Sequence, residues 1–428
     1  MKKRAGKVME LAELDLVAVL RPTDRVIWGQ GGAEPLKLIG ALVAQRSAYS
    51  GIRVFLTISF AEVLQPEHSD HIRFEGLGGL GSNARLCRDG LLDVYPTHFG
   101  SFCRDIAAGR FAIDVFLVQL AGPDANGRFS FSTDHGYAAD ASRRARVVIA
   151  EVNAQAPFIR GQETLGAEDI DLIVHTDRPL PEMARAIPDD VDYAIAAHVL
   201  PFIEDGTTLQ VGVGGVPSAL LEQLRHHRDL GVHSGMISDT VLELIEAGVV
   251  TNARKPFDSG VSVCCALYGS RDFYRRCAAA PIELHPATYT SNVEVMARLG
   301  RLVGINSAVQ VDLSGQINAE YVAGRYVGAP GSQVDFVRAA RQASHGKAIF
   351  ALRSRSPNGQ SRIVEALAGG IVTTARIDTD LVITEWGVAA LAGKGLRERR
   401  AALLAIAHPE DRAALEVRAP VQPARKVA

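Results

Sequence analysis

Short β-branched segments alternate with amphipathic segments along the whole chain, and this alternation restricts the fold more than any other feature. The apolar segments have the length of buried strands, and those between them have helical periodicity, a pattern typical of parallel strands joined by crossover helices. The strand-like segments read RVIWG, GIRVFLTI, AIDVFLVQL, ARVVIAEV, DIDLIVHT, TLQVGVG, VSVCCALYG, RLVGINSAVQVDL, GKAIFAL, GIVTTA and LVITEWG. We therefore expect an α/β fold with mostly parallel sheets flanked by helices.

One pattern occurs twice. Residues 24–46 and 208–228 each contain an apolar strand, a glycine-rich turn, a proline suited to the first helical turn (Pro35 or Pro217) and an amphipathic helix. The 428 residues also exceed what one hydrophobic core usually serves. We predict two related open α/β domains, residues 1–200 and 201–428, joined through a segment rich in Pro and Asp.

Charge and cysteine content limit the class of protein. With 46 basic and 48 acidic residues, no overall field would recruit nucleic acid or an anionic membrane. The five cysteines form no C-x-x-C pair, which favours a reducing compartment. Glu10, Glu13 and Asp15 interrupt the stretch that a signal peptide would keep apolar, so we predict an amphipathic N-terminal helix. We expect a cytoplasmic protein without a membrane span.

Two turns have the composition of a ligand site. Residues 212–217, here called the glycine turn, would place backbone N–H groups at a helix N-terminus, where they can bind an anion or oxyanion. The turn matches neither a P-loop nor a dinucleotide fingerprint, and packing of the strand on the helix would also explain it. Residues 233–239 follow a second short strand. Ligands bind at the carboxyl ends of strands in open α/β sheets, so we expect both turns to face one crevice.

The blocks GVGGVPSALLEQL and LGVHSGMISDTVLELIEAGVVTNARK resemble the core motif of the family I coenzyme A transferases, in the acetyl-CoA hydrolase and 4-hydroxybutyrate CoA-transferase branch. Further blocks agree in order, among them GQGGAEP, LAGPDANGRFSFS, INSAVQVDLSGQINAE and GSQVDFVRAA, so the similarity extends nearly from end to end. The resemblance implies an acyl-CoA cosubstrate, a small carboxylic acid as a further partner, and a homo-oligomer. We expect no metal, because polarisation of a thioester by backbone donors needs none.

The resemblance also assigns residues to the binding site. It implies CoA contacts and oxyanion stabilisation at the glycine turn, and a second CoA-contacting loop near residue 332. The residues so assigned are Gly212, Val213, Gly214, Gly215, Val216, Gly331, Ser332 and Gln333.

The family's nucleophile is missing. Where the family reads His-Thr/Ser-Glu-Met and the glutamate attacks the thioester, this chain reads His233-Ser234-Gly235-Met236. Gly235 has no side chain and cannot form the anhydride or the glutamyl-CoA thioester. Ser234 is a candidate nucleophile, although its alcohol would need a base and would give an ordinary ester.

Another acid or base would then be needed, and His98 is the leading candidate. It falls near the segment where the family reads Leu-Ser-Glu, and a neutral imidazole can take a proton from water. A structural histidine that caps a loop is the alternative. His233 is matched in the family and is interpreted as a positioning residue. The remaining candidates are Glu62, His135 and Glu320.

Three functions remain open at this point. The first, which we favour, is an enzyme that hydrolyses or cleaves an acyl-CoA with the inherited oxyanion turn. Divergent relatives of this fold that lack the glutamate perform decarboxylation or ring hydrolysis on CoA esters. The second is a CoA transferase that uses another carboxylate, such as Glu62 or Glu320. The third is a catalytically silent CoA-binding homologue.

Overall fold

The computed structural model describes residues 4, 6–49, 51–367 and 369–417. Eight strands in the first half pair entirely in parallel, in the order β1-β8-β7-β6-β2-β3-β4-β5. These strands are β1 (Lys7–Met9), β2 (Arg25–Trp28), β3 (Ile52–Leu56), β4 (Ile72–Gly76), β5 (Leu92–Val94), β6 (Val115–Leu120), β7 (Val147–Asn153) and β8 (Leu172–Thr176). The helices among them are α1 (Leu36–Ala44), α2 (Ala84–Arg88), α3 (Phe99–Ala108) and α4 (Ala138–Arg144).

The second half contains the other large sheet and several small ones. Its helices are α5 (Asp190–Val199), α6 (Gly215–Gln223), α7 (Asp239–Glu246), α8 (Arg271–Cys277), α9 (Ala287–Thr290), α10 (Val293–Ala297), α11 (Gln333–Gln342), α12 (Leu396–Ala405) and α13 (Pro409–Val417). Its strands are β9 (Thr208–Val211), β10 (Gly231–Val232), β11 (Met236–Ile237), β12 (Ser262–Cys264), β13 (Ala266–Leu267), β14 (Ile282–Leu284), β15 (Leu302–Asn306), β16 (Gln310–Asp312), β17 (Ile317–Asn318), β18 (Tyr321–Val322), β19 (Arg325–Tyr326), β20 (Lys347–Ala351), β21 (Ile363–Val364), β22 (Leu381–Thr384) and β23 (Gly387–Ala390).

The large sheet of this half has the order β10-β9-β15-β20-β22-β23 and is parallel except for the β22–β23 pair. Short parallel pairs, β11 with β13 and β12 with β14, lie outside it. Helix α5 packs against α6 and β22, so residues 190–199 lie beside this sheet. The domain boundary near residue 200 stays a prediction.

Both faces of each large sheet are covered by apolar side chains, as parallel sheets require. In β2, Ile27 belongs to a cluster on one face, whereas Val26 and Trp28 belong to a cluster on the other. In β15, Val303 and Leu302 divide in the same way between two further clusters. Successive side chains of a strand point to opposite faces, so the apolar runs in the sequence are explained by burial on both sides. The predicted fold class is confirmed.

The repeated pattern occupies equivalent places in the two halves. Strand β2 lies inside the first sheet and continues through a turn into α1, and β9 lies inside the second and continues into α6. Pro217 falls in the first turn of α6, as predicted, whereas Pro35 immediately precedes α1. Each half therefore places a glycine-rich turn at the carboxyl end of an interior strand.

Two local predictions were wrong. The N-terminus forms the edge strand β1 and a short 3-10 turn at Leu11–Glu13, because Lys7–Met9 complete hydrogen bonds along β8 that a helix would leave open. The segment GIVTTA forms an isolated bridge, since the N–H groups of Thr373 and Thr374 both donate to the Ile317 carbonyl. No helix in the described ranges is long and apolar enough to cross a membrane.

Candidate active site

A cavity of about 410 Å³ lies between the two halves, at the carboxyl ends of strands from both large sheets. Ligands bind at this position in open α/β sheets. Residues after β2, β3 and β4 line it from the first half, and residues at or after the ends of β9, β10 and β15 line it from the second. These strand-end residues are Gln30, Thr57, Ile58, Leu77, Gly212, Val213, Ser234, Gly235, Asn306 and Ser307.

The glycine turn contributes to this cavity through its first two residues. Gly212 and Val213 line the cavity, and Gly214 lines a smaller pocket of about 190 Å³ that also borders Gly212 and Val213. Gly214 has φ 129° and ψ −179°, a conformation essentially restricted to glycine, and it allows α6 to begin directly at Gly215. Val216 is buried in the core. The first N–H groups of α6 have no partner within the helix, so they can bind an anion.

The second loop, residues 331–333, also lines the cavity, and hydrogen bonds hold it in place. The carbonyl of Gly331 accepts from the backbone N–H of Phe99 at 2.8 Å. Gln333 donates from Nε2 to the Ser307 carbonyl at 2.9 Å and accepts from Thr374 Oγ1 at 3.0 Å. The two predicted CoA-contacting segments therefore meet at one cavity.

The HSGM turn forms another part of the wall. Ser234 is buried, and its hydroxyl donates to the Val211 carbonyl at 3.3 Å, so among the described residues no base takes the hydroxyl proton in this arrangement. Gly235 has no side chain, and a Cβ built there would find, within 4 Å among the described residues, only Phe336 Cε2 at 3.7 Å. The Gly235 carbonyl accepts from Cys265 Sγ at 2.9 Å. The wall at residue 235 thus has room for a side chain.

Neither His98 nor Glu62 is among the described residues that line the cavity. His98 directly precedes α3, and burial, followed by the charges of Arg338 and Arg104, lowers its pKa. Glu62 is exposed and forms an ion pair with Arg85 at 3.1 Å. The structure does not bring these two predicted bases together with the glycine turn.

The other candidate bases are also outside the lining. His135 and His233 are fully buried, and burial lowers their pKa values to about 4 and about 3, so both are neutral near pH 7. His233 Nε2 lies 3.2 Å from the Thr290 carbonyl, consistent with a positioning role. Glu320 accepts from Thr373 Oγ1 at 2.7 Å, and burial raises its pKa.

Sequence reasoning missed two buried carboxyl groups of the first half, one of which is hydrogen-bonded to a residue of the cavity lining. Glu34, in the first glycine-rich turn, accepts from the backbone N–H groups of Phe60 and Ala61 at 2.8 and 3.0 Å, and burial raises its pKa to about 7. Asp134 is hydrogen-bonded to Gln30, and burial raises its pKa to about 7 as well. The GQGGAEP block, which contains Gln30 and Glu34, was the sequence signal that could have drawn attention to these groups.

Models of one family match both parts of the chain. The acetyl-CoA hydrolase/transferase N-terminal domain matches residues 3–187, and the C-terminal domain of the same family matches residues 269–419. The chain belongs to the acetyl-CoA hydrolase/transferase family. As a member of this family it is an enzyme, and the family uses CoA thioesters as cosubstrates.

Individual members of the acetyl-CoA hydrolase/transferase family are similar over nearly the full chain. The 4-hydroxybutyrate coenzyme A transferase of Clostridium kluyveri is 37% identical over 404 residues, covering 93% of this chain and 94% of the relative. The succinyl-CoA:cyclohexane-1-carboxylate CoA transferase of Geobacter metallireducens is 31% identical over 410 residues, covering 94% and 93%. The crystal structure of RipA from Yersinia pestis superposes with a TM-score of 0.90 at 30% identity, covering 96% of each chain.

Proposed function

We propose that this family member binds an acyl-CoA in the cavity and hydrolyses or otherwise cleaves it without a covalent glutamyl intermediate. One observation carries the proposal. Gly235 lines the cavity without a functional group, and the nearest atom to a Cβ built there is Phe336 Cε2 at 3.7 Å. By resemblance, the family's nucleophilic glutamate stands at this position. The vacant volume is suited to a water molecule or a bulkier acyl group.

Hydrolysis would begin with attack of the water oxygen on the thioester carbonyl carbon. The C–S bond then breaks, the acid is released, and the CoA thiolate takes up a proton while the attacking water loses one to solvent. Backbone N–H groups of the glycine turn would bind the developing oxyanion. Each well-placed donor of this kind lowers the barrier by roughly 3 kcal/mol.

A neighbouring pocket supports binding of a phosphorylated cosubstrate. It has a volume of about 440 Å³, borders the cavity through Ser307 and Ala319, and is lined in part by Arg362. In the described part of the protein, the half-buried Arg362 side chain has no carboxylate or other hydrogen-bond partner, and burial lowers its pKa. An unpaired, half-buried guanidinium is stabilised by an anion, and the CoA nucleotide supplies phosphates.

Arg362→Gln is therefore expected to weaken CoA binding about tenfold, the effect of one hydrogen bond to a charged group at a partly exposed site. Calorimetric titration with CoA and with pantetheine, which has no nucleotide phosphates, measures the effect. Pantetheine binding should not change. Arg301→Gln removes an exposed arginine paired with Glu204 and serves as the control. Equal losses for CoA and pantetheine would contradict a phosphate contact.

A second candidate, CoA binding without turnover, is favoured by the residues of the lining. Among the described lining residues, the titratable side chains are Cys265 and Tyr268, and burial raises the pKa of both. Neither is a base near neutral pH. A transferase that uses Glu62 or Glu320 has no comparable support, because neither carboxylate is in the described lining.

The deciding experiment follows free thiol release from a panel of acyl-CoAs, with and without acetate. We expect the wild type to release thiol without acetate. We expect His98→Ala and Glu62→Gln to change the rate by less than about threefold, because neither side chain is in the described lining.

A larger loss in His98→Ala would establish His98 as the base. Acetate-dependent formation of acetyl-CoA would establish a transferase. Calorimetric binding without any release would establish the second candidate.

A further inference from the structure

Three arginine residues of the second half form a cluster outside the cavity. Arg341 lies in the last turn of α11, Arg376 lies in a tight turn that begins at Ala375, and Arg399 lies in α12. Arg341 and Arg376 are exposed, whereas Arg399 is only 9% exposed. None of the three is in the described lining of the cavity or of the pocket that contains Arg362. We call Arg341, Arg376 and Arg399 the arginine cluster.

Two successive backbone carbonyls bring the guanidinium groups together. Arg399 Nη1 donates to the Arg376 carbonyl at 2.7 Å, and Arg341 Nη1 donates to the Ile377 carbonyl at 2.9 Å. Arg399 Nε also donates to the Lys394 carbonyl at 3.2 Å, which fixes its guanidinium against the start of α12. Carbonyls of adjacent residues are only one peptide unit apart. The guanidinium groups of Arg341 and Arg399 therefore lie close to each other and to the residue that carries the third.

The positive charge of the arginine cluster is not balanced by carboxylates of the described chain. No printed ion pair of the described residues involves a member of the cluster, and the nearby Asp378 pairs with Arg338 at 3.1 Å. Glu398 of α12 accepts from the Gly395 N–H at 3.0 Å. Burial, followed by the charges of the other two members, lowers the pKa of Arg399. Like charges held together in this way are unfavourable unless an anion joins them.

Several N–H groups of the cluster are free to bind that anion. Arg399 Nη2 has no hydrogen-bond partner within the ranges described, and it is not among the enclosed polar atoms without a partner, so it reaches open space. Arg341 donates only from Nη1. The side chain of Arg376 makes no hydrogen bond to any residue that the structure describes. Three planar groups of N–H donors match the several oxygens of a tetrahedral oxyanion.

We propose that the arginine cluster binds the phosphate group of a small ligand, either inorganic phosphate or a phosphate monoester, at a site separate from the CoA cavity. The phosphate supplies the missing negative charge, and its oxygens accept from the free N–H groups. Exposed apolar residues flank the cluster in sequence. Ile377, 72% exposed, follows Arg376, and Leu396, 56% exposed, lies one helical turn before Arg399. The organic part of a phosphate monoester would cover them.

Arg376→Gln tests the proposal, because the exposed Arg376 side chain holds no other described residue in place. In calorimetric titrations at constant ionic strength, we expect the wild type to bind inorganic phosphate with a Kd of about 1 mM and the variant about tenfold more weakly. In phosphate-free buffer the variant should unfold at the same or a higher temperature, because like-charge repulsion is reduced. Added phosphate should raise the unfolding temperature of the wild type more than that of the variant.

Arg88→Gln is the matched control, since it removes an exposed arginine at the end of α2 that has no ion pair among the described residues. It should keep the wild-type phosphate affinity. Arg362→Gln should keep it as well. No binding of phosphate by the wild type, or equal affinities of the wild type and Arg376→Gln, would overturn the inference.

Two further titrations identify the source of the phosphate group. Saturating CoA should leave phosphate binding unchanged, and displacement of phosphate by CoA would overturn a separate site. Phenyl phosphate tests for an organic ligand. If it binds more tightly than inorganic phosphate, the ligand is a phosphate monoester, and equal affinities assign the site to inorganic phosphate. Every outcome is independent of the proposed function, because the cluster is not in the described lining of the cavity.

Discussion

Gly235→Glu is expected to give the protein CoA-transferase activity at least about a hundredfold above the wild type, a barrier difference of about 2.7 kcal/mol. The introduced carboxylate would attack the thioester carbonyl and expel CoA, which forms an acyl-glutamyl anhydride. CoA would then attack the glutamyl carbonyl, which releases the first acid and leaves a glutamyl-CoA thioester. The acceptor acid would attack this thioester and expel CoA, and CoA would attack the acyl carbonyl of the new anhydride to give the product acyl-CoA and the free glutamate. The backbone permits this, because Gly235 is not in the left-handed region and a Cβ there meets Phe336 at an ordinary van der Waals distance of 3.7 Å. Acetyl-CoA formation from butyryl-CoA and acetate measures the activity.

Two controls separate nucleophilic chemistry from a change in shape. Gly235→Gln has nearly the same volume as Gly235→Glu but no nucleophile, so it should bind acyl-CoA and show no transfer. Gly235→Ala tests the Cβ alone and should change thiol release by less than about threefold, since no described atom comes closer than the Phe336 ring. Intact-protein mass spectrometry should detect bound CoA in Gly235→Glu alone. If Gly235→Glu binds acyl-CoA but transfers nothing, the missing carboxylate is not what separates this chain from a transferase.

Gly214→Ala should weaken acyl-CoA binding more than tenfold and destabilise the fold by about 1–3 kcal/mol, the strain of a non-glycine residue in such a conformation. At φ 129° an alanine is strained, even though the nearest described atom outside the adjoining residues, Pro217 Cδ, is 3.8 Å from its Cβ. Relief of that strain would rotate the first backbone N–H groups of α6. Thermal unfolding and calorimetric titration with CoA measure the two effects.

Gly212→Ala is the matched control, two residues earlier in the same turn. Gly212 is not in the left-handed region, and no described atom lies within 4 Å of its built Cβ, so the backbone should be unchanged. We expect stability within about 0.5 kcal/mol of the wild type. If the two variants lost stability and CoA affinity equally, the conformation of Gly214 would not be what organises the turn.

The fold class could be predicted from the sequence because the two features that indicate it, apolar runs of strand length and glycine-rich turns, are local. Apolar runs of strand length between helical segments report burial on two faces, and β2 and β9 have this pattern. The glycine-rich turns report a change of direction that the strand–helix unit requires. These features extend over only a few residues, so they can be recognised without knowledge of the partner strand.

The errors in the fold occurred where distant partners decide the conformation. Lys7–Met9 are exposed or half-buried, and they form β1 because β8, more than 160 residues later, offers an open edge. The GIVTTA segment has strand composition, yet two of its N–H groups donate to the same carbonyl, that of Ile317. Local propensity could not indicate either outcome, since propensity is a weak prior that tertiary pairing overrides.

The candidate site shows the same contrast between features encoded locally and features decided by distant contacts. The sequence alone predicted the strand-end turns and, by resemblance, the absent nucleophile at Gly235, because both are properties of contiguous residues. Only the tertiary structure placed Gly212, Ser234 and Gly331 around one cavity and kept His98 out of the described lining. It also joined Gln30 to Asp134 across 104 positions of sequence. Burial and hydrogen-bond geometry between distant segments depend on how the two sheets meet, and no local pattern encodes that arrangement.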